Sequence, residues 1–145
     1  MAIHGNYPQD GPATRHVRFK QVLLVDRDEE LGSSIRQAIS ASPYLSRIAT
    51  DIGNAVCSIS RDEVDLVVVS SLVGDRSLHV LLRELEALPT PPPVLLLAYL
   101  HGESRWTAWR SLPLVSIVRT PFAPEDVLDA VRALIGKPWE ERDAG

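Results

Sequence analysis

A chain of 145 residues, 45% of them apolar, suits one domain with one core. Its 19 acidic residues against 15 basic ones leave a net charge of −4 with no dense Lys/Arg stripe, which argues against a nucleic-acid surface because phosphate neutralisation supplies most of that affinity. No apolar run reaches the roughly 18 to 20 residues of a membrane span and no basic segment leads into an apolar one at the N-terminus, so a cytoplasmic protein is expected.

Residues 1–18 mix Gly, Pro, Asn and Gln with isolated apolar side chains and follow neither a strand nor a helix period, so they read as a flexible arm. Its end, with Arg15, His16, Arg18 and Lys20, is mildly basic. Val22 to Val25 is a continuous apolar run, as a parallel strand buried on both faces requires. A helix is predicted next, with Asp28 as N-cap, Glu29 and Glu30 in its first turn and Leu31, Ile35 and Ile39 on one face. A weaker strand near Ser46–Thr50 precedes a short helix carrying Ile52, Val56 and Ile59, on which the single Cys57 reads as a small packed side chain and not a redox centre. Leu66 to Val69 is the next buried strand. The following helix has the clearest stripe, Leu78, Leu81, Leu82, Leu85 and Leu88, and Pro91-Pro92-Pro93 prevents its continuation. Val94 to Leu97 is a fourth strand, about Glu103 to Leu112 a fourth helix, and Val115 to Val118 a fifth strand. In the last helix Pro124 occupies the first turn, Val127, Leu128, Val131, Leu134 and Ile135 face inward, and Gly136 supplies the stop. Residues 19–137 thus form the folded unit and 138–145 a tail, in which Trp139 anchors or lies free ahead of a solvated charged end.

Five βα units predict an α/β fold, a doubly wound parallel sheet with helices on both faces. The informative feature is where its strands end. Gln21-Val22-Leu23-Leu24-Val25 runs straight into Asp26-Arg27-Asp28-Glu29-Glu30, placing Asp26 at the carboxyl end of a strand, where open α/β sheets hold their chemistry. Together with Asp65–Ser71, Val94–Tyr99 and Val118-Arg119-Thr120-Pro121-Phe122, in this order and spacing, the chain resembles the receiver domain of two-component response regulators over roughly residues 20 to 136. The resemblance implies a flavodoxin-like, receiver-type sheet of five strands in the order 2-1-3-4-5, with five helices.

Receivers accept a phosphoryl group on an aspartate ending the third strand. A divalent cation is held by that aspartate and by an acidic pair ending the first, a Thr or Ser follows the fourth strand, and a Lys follows the fifth. Carried over, the acceptor falls on Ser70, the acidic pair on Asp26 and Arg27, the hydroxyl on Ala98, the lysine on Thr120 and the aromatic switch residue on Ile117. Thr120-Pro121 preserves an X-Pro step that is commonly cis in the family. Only Asp26 keeps its residue type. A serine can form a stable phosphoester but not a labile acyl phosphate, and it first needs a base. Magnesium is held by carboxylates, phosphate and water, so Arg27 places a permanent positive charge where the metal is expected and offers itself as a metal-free partner for Asp26. Neither a metal nor another cofactor is expected.

Asp26 also reads as an ordinary solvated strand-end acid. Ser70 lacks the Gly-x-Ser-x-Gly flanks of a nucleophile elbow, and His101 reads as a loop histidine, so a small hydrolase using Ser70 is a distant alternative and no enzyme is expected. Trp106 and Trp109, three apart between Arg105 and Arg110, share a helix face that either fills core space or docks a partner. No output module is expected after the last helix. The expectation is a stand-alone degenerate receiver, or pseudo-receiver, that binds a signalling protein or a second copy of itself independently of phosphorylation. A phosphorelay receiver with altered acceptor chemistry is the alternative.

Overall fold

The computed structural model describes residues 15–27, 29–99 and 114–143. Its centre is a parallel sheet of β2 (Gln21–Val25), β3 (Leu45–Ala49), β4 (Leu66–Ser70), β5 (Val94–Ala98) and β6 (Val115–Arg119), in the order β3-β2-β4-β5-β6. Counted from the first parallel strand, this is the expected 2-1-3-4-5. Four α-helices lie among the described residues: α1 (Glu29–Ser40), α2 (Ile52–Arg61), α3 (Asp75–Glu86) and α4 (Pro124–Ile135). The helix expected at 103–112 lies outside them.

Alternation along the buried strands divides the apolar side chains between two cores. Leu23, Val25, Val67, Val69, Leu96 and Ala98 point to the face covered by α2 and α3, where Leu78, Leu81, Leu82 and Leu85 close over them. Val22, Leu24, Leu66, Val68, Leu95 and Leu97 point to the other face, against Ile35 and Ile39 of α1 and Val127 and Val131 of α4. Both faces are covered, so these strands read as continuous apolar runs.

Local chemistry sets the helix ends. Asp51 caps α2 by accepting the Asn54 N–H at 2.8 Å. Asp126 accepts the Ala123 N–H at 2.7 Å at the start of α4, where proline occupies the first turn. Gly136 ends α4 at a φ of 77°, a conformation costly for any residue with a Cβ. On α2 the expected stripe shifts: Ala55 and Ser58 are buried with Ile52 and Ile59 packed beside them, while Cys57 is exposed. Small residues let α2 lie close to the sheet, and the face they define turns the thiol outward.

The chain ends depart further from expectation. Arg15–Phe19 forms β1 and Trp139–Asp143 forms β7, and the two pair antiparallel with Phe19 opposite Trp139 and Arg18 opposite Glu140. Residues 15–18 are therefore not part of a flexible arm, and 139–143 are not a free tail. The ribbon is fastened at the amino edge of the sheet. Arg18, with only 13% of its side chain exposed, grips Asp65 through Nη1 to Oδ1 at 3.0 Å and Nη2 to Oδ2 at 2.8 Å, and reaches Glu140 at 3.4 Å. Asp65 also accepts the Gln21 N–H at 2.7 Å, and the Lys20 N–H donates to Pro138 O at 2.8 Å. The Asp65 hydrogen bonds and carboxylate charge hold the Arg18 pKa above its ordinary value.

Candidate functional site

Four strands of the sheet deliver the expected pocket to one edge. Val25 pairs with Val69, Ser70 with Leu97 and Ala98 with Arg119, so Asp26, Ser70, Ala98 and Thr120 follow one another across β2, β4, β5 and β6. The Asp26 N–H continues the pairing with β3 by donating to Ala49 O at 3.1 Å, and its side chain sinks to 2% exposure.

Ser70 is more deeply enclosed, at 1% exposure, and starts the tight turn Ser71–Val73. Its Oγ accepts the Leu72 N–H at 3.1 Å. Ser71 Oγ accepts the Tyr99 N–H at 3.0 Å, tying the segment after β4 to the segment after β5. The Tyr99 ring meets Phe122 edge-on, with centroids 5.6 Å apart at 64°, so the tie extends to the segment after β6. Thr120 donates its N–H to Ala98 O at 2.9 Å, and the Thr120–Pro121 bond is cis, in keeping with the resemblance. Thr120 Oγ1 is buried without a hydrogen-bond partner among the described residues. Ile117 is half-buried and packs against the core under α2 and α3.

Arg27 does not join this group. Its side chain is exposed and lines a cleft of about 260 Å³ with Thr50, Asp51, Ile52, Val73 and Ser77, and no ion pair links it to Asp26 among the described residues. Arg27 stands in a bend beyond β2, and following a buried carboxylate would cost the guanidinium several kcal/mol of hydration. The expected metal-free Asp26–Arg27 pair is thus corrected. The described residues do not fit a divalent cation either. Among the described residues the pocket offers one buried carboxylate, that of Asp26, beside a hydroxyl, and no cluster of three potential ligands occurs.

The candidate surface of Arg105, Trp106, Trp109 and Arg110, together with His101, lies outside the described residues. Sequence reading missed Ser71, Tyr99 and Phe122 as connectors and Arg18 as an anchor. The period-2 pattern His16-Val17-Arg18-Phe19 and the opposite charges of Glu140-Glu141 were the available signals.

No family model matches this chain. Among curated proteins it is similar to the response regulator MprA of Mycolicibacterium vanbaalenii, 26% identical over 125 residues, and to that of Mycobacterium avium, 27% identical over 124 residues. Each alignment covers 86% of this chain and 54% of the relative, so the chain spans about half the length of the curated relatives it matches. Among solved structures, the signal receiver domain of a LuxO repressor protein from Vibrio parahaemolyticus superposes with a TM-score of 0.72 at 16% identity, covering 81% of this chain and 91% of that one. The chemotaxis response regulator CheY4 of Vibrio cholerae gives 0.70 at 14% identity, covering 81% and 99%. The chain therefore has the fold of response-regulator receiver domains, and its resemblance to response regulators is present in sequence as well as in fold. No described helix is long and apolar enough to cross a membrane.

Proposed function

We propose that this chain is a degenerate receiver that works in signalling or regulation as a phosphorylation-independent protein-interaction module in the cytoplasm, without enzymatic activity. The observation that carries the reading is Ser70. At the acceptor position stands a hydroxyl, 1% exposed, whose oxygen already accepts the Leu72 N–H. Attack on a phosphodonor requires an accessible, activated oxygen, and an acyl phosphate requires a carboxylate. Burial of Ser70 likewise counts against the hydrolase alternative.

A module of this kind holds one conformation. The Ser71–Tyr99 hydrogen bond and the Tyr99–Phe122 contact support this, since they join three segments at the carboxyl edge, and Ala98 and Ile117 stand where the family's moving hydroxyl and aromatic ring would be. Partner choice then rests on surface. The Arg105, Trp106, Trp109 and Arg110 segment is the sequence-based candidate, for a signalling protein or a second copy.

The test is incubation with acetyl phosphate and magnesium followed by intact-mass measurement. No phosphoryl adduct is expected. A stoichiometric, hydroxylamine-labile adduct would overturn the proposal, and a hydroxylamine-stable one would instead favour the phosphorelay alternative with a serine ester.

A further inference from the structure

Where the β1–β7 ribbon meets α1 and β3, Phe19 and Leu45 remain 40% and 50% exposed. Both line a hollow of about 420 Å³ whose remaining walls include Arg36, Pro43 and Tyr44. The walls are fixed from behind. Phe19 is held by pairing with Trp139, the Leu45 N–H donates to Lys20 O at 2.9 Å, and the Tyr44 hydroxyl donates to Gly136 O. A second hollow, of about 290 Å³ and lined by Ser33, Arg36, Gln37 and Ser40, adjoins the first through Arg36 and Ser40. One hollow is apolar, the other is lined by hydroxyl and amide groups, and a guanidinium stands between them. Among the described residues Arg36 enters no ion pair, and no acidic side chain described lines either hollow.

We propose that the two hollows form a docking groove for a segment of a partner protein in which a carboxylate neighbours a large apolar side chain. The carboxylate pairs with Arg36, with Ser33 and Gln37 as further donors. The apolar side chain covers Phe19 and Leu45 beside Pro43. Charge complementarity selects this chemistry: a basic segment would bring its charge against Arg36 with no acid to offset it. The carboxyl end of α1 contributes roughly half a negative charge, which the full charge of the guanidinium outweighs. The proposal rests on reading the chain as an interaction module and gives that module a binding face at the edge of the sheet opposite Ser70.

The probe is a short fluorescein-labelled peptide of alternating Glu and Leu, with an alternating Lys and Leu peptide as its counterpart, titrated into the full chain by anisotropy and by amide chemical shifts. The acidic peptide is expected to bind and to shift the amides of Phe19, Arg36 and Leu45. Arg36→Glu should weaken it at least about tenfold and transfer preference to the basic peptide. Phe19→Ala should weaken it comparably with an unchanged circular dichroism spectrum. No binding, shifts confined to another face, or equal affinity in Arg36→Glu would overturn the groove. So would self-association that Phe19→Ala removes, which would give the patch to a second copy. A phosphoryl adduct would overturn the interaction-module reading, whereas failed peptide binding without an adduct would overturn the groove alone.

Discussion

Two buried oxygens at opposite edges of the sheet show how single residues are committed to structure. Ser70 Oγ caps the turn that leaves β4 by accepting the Leu72 N–H. Ser70→Ala should therefore cost about 1 kcal/mol in urea denaturation and leave partner binding unchanged. Loss of binding would show that the pocket takes part in recognition. Tyr44 Oη donates to Gly136 O, which the end of α4 leaves without a helical partner. Burial raises the Tyr44 pKa above its ordinary value of about 10. A folded-state pKa raised in this way contributes stability that is complete below the unfolded pKa and is lost as pH rises through the folded one. Stability should accordingly fall as pH climbs from about 10. Tyr44→Phe should flatten that slope while costing about 1 kcal/mol at neutral pH. An unchanged alkaline slope in the variant would remove Tyr44 as its source.

Among the elements, the β1–β7 ribbon is the piece held by polar anchors, whereas the parallel strands are held by two apolar cores. Two strands alone are marginal in water, so the ribbon depends on Arg18, Lys20 and the backbone bond to Pro138. Arg18→Met keeps much of the buried stem and removes the charge, leaving Asp65, Glu63 and Glu140 without the cation they share. A loss of about 1 to 3 kcal/mol is expected, less than the roughly 3 to 5 kcal/mol of a fully buried pair because the carboxylates are partly exposed and screened. Hydrogen exchange should locate it: amides of 15–19 and 139–143 should exchange faster while those of β2 and β4 keep their protection. Uniform acceleration through the sheet would mean instead that the ribbon unfolds only with the whole domain.

At the scale of the molecule, the carboxyl edge keeps the receiver layout of strands with Asp26, Ser70, Ala98 and Thr120 at their ends, and the amino edge carries the ribbon and the proposed groove beside it. Interaction surfaces concentrate their energy in a few aromatic and Arg residues, so the more exposed of Trp106 and Trp109 is a second place to look. Its replacement by Ala should weaken partner binding by about 2 kcal/mol or more if it is a hot spot, with the fold intact. Isothermal titration with the purified partner would measure this, and unchanged affinity in both Trp variants would remove that segment from the interface.

Much of the architecture was legible because it is written at short range. Apolar runs of strand length, helix stripes such as Leu78, Leu81, Leu82 and Leu85, and acids following the first strand each follow a backbone period that neighbouring residues reveal. The proposed loss of acceptor chemistry rests on the sequence alone, since it depends only on which residue type stands at Ser70, Ala98 and Thr120. What only the tertiary structure decided involves residues far apart or direction in space. Arg18 and Glu140 lie 122 positions apart and Arg18 and Asp65 lie 47 apart, and no local period could pair them. Arg27 was expected to meet Asp26 because it stands where the family has its second acid, yet Asp26 is buried while Arg27 turns out into a cleft with Thr50, Asp51 and Ser77. The hollow at Arg36 exists only because Phe19, Tyr44 and Leu45 converge where β1 and β7 are drawn together, a meeting that long-range burial and pairing determine and sequence order does not.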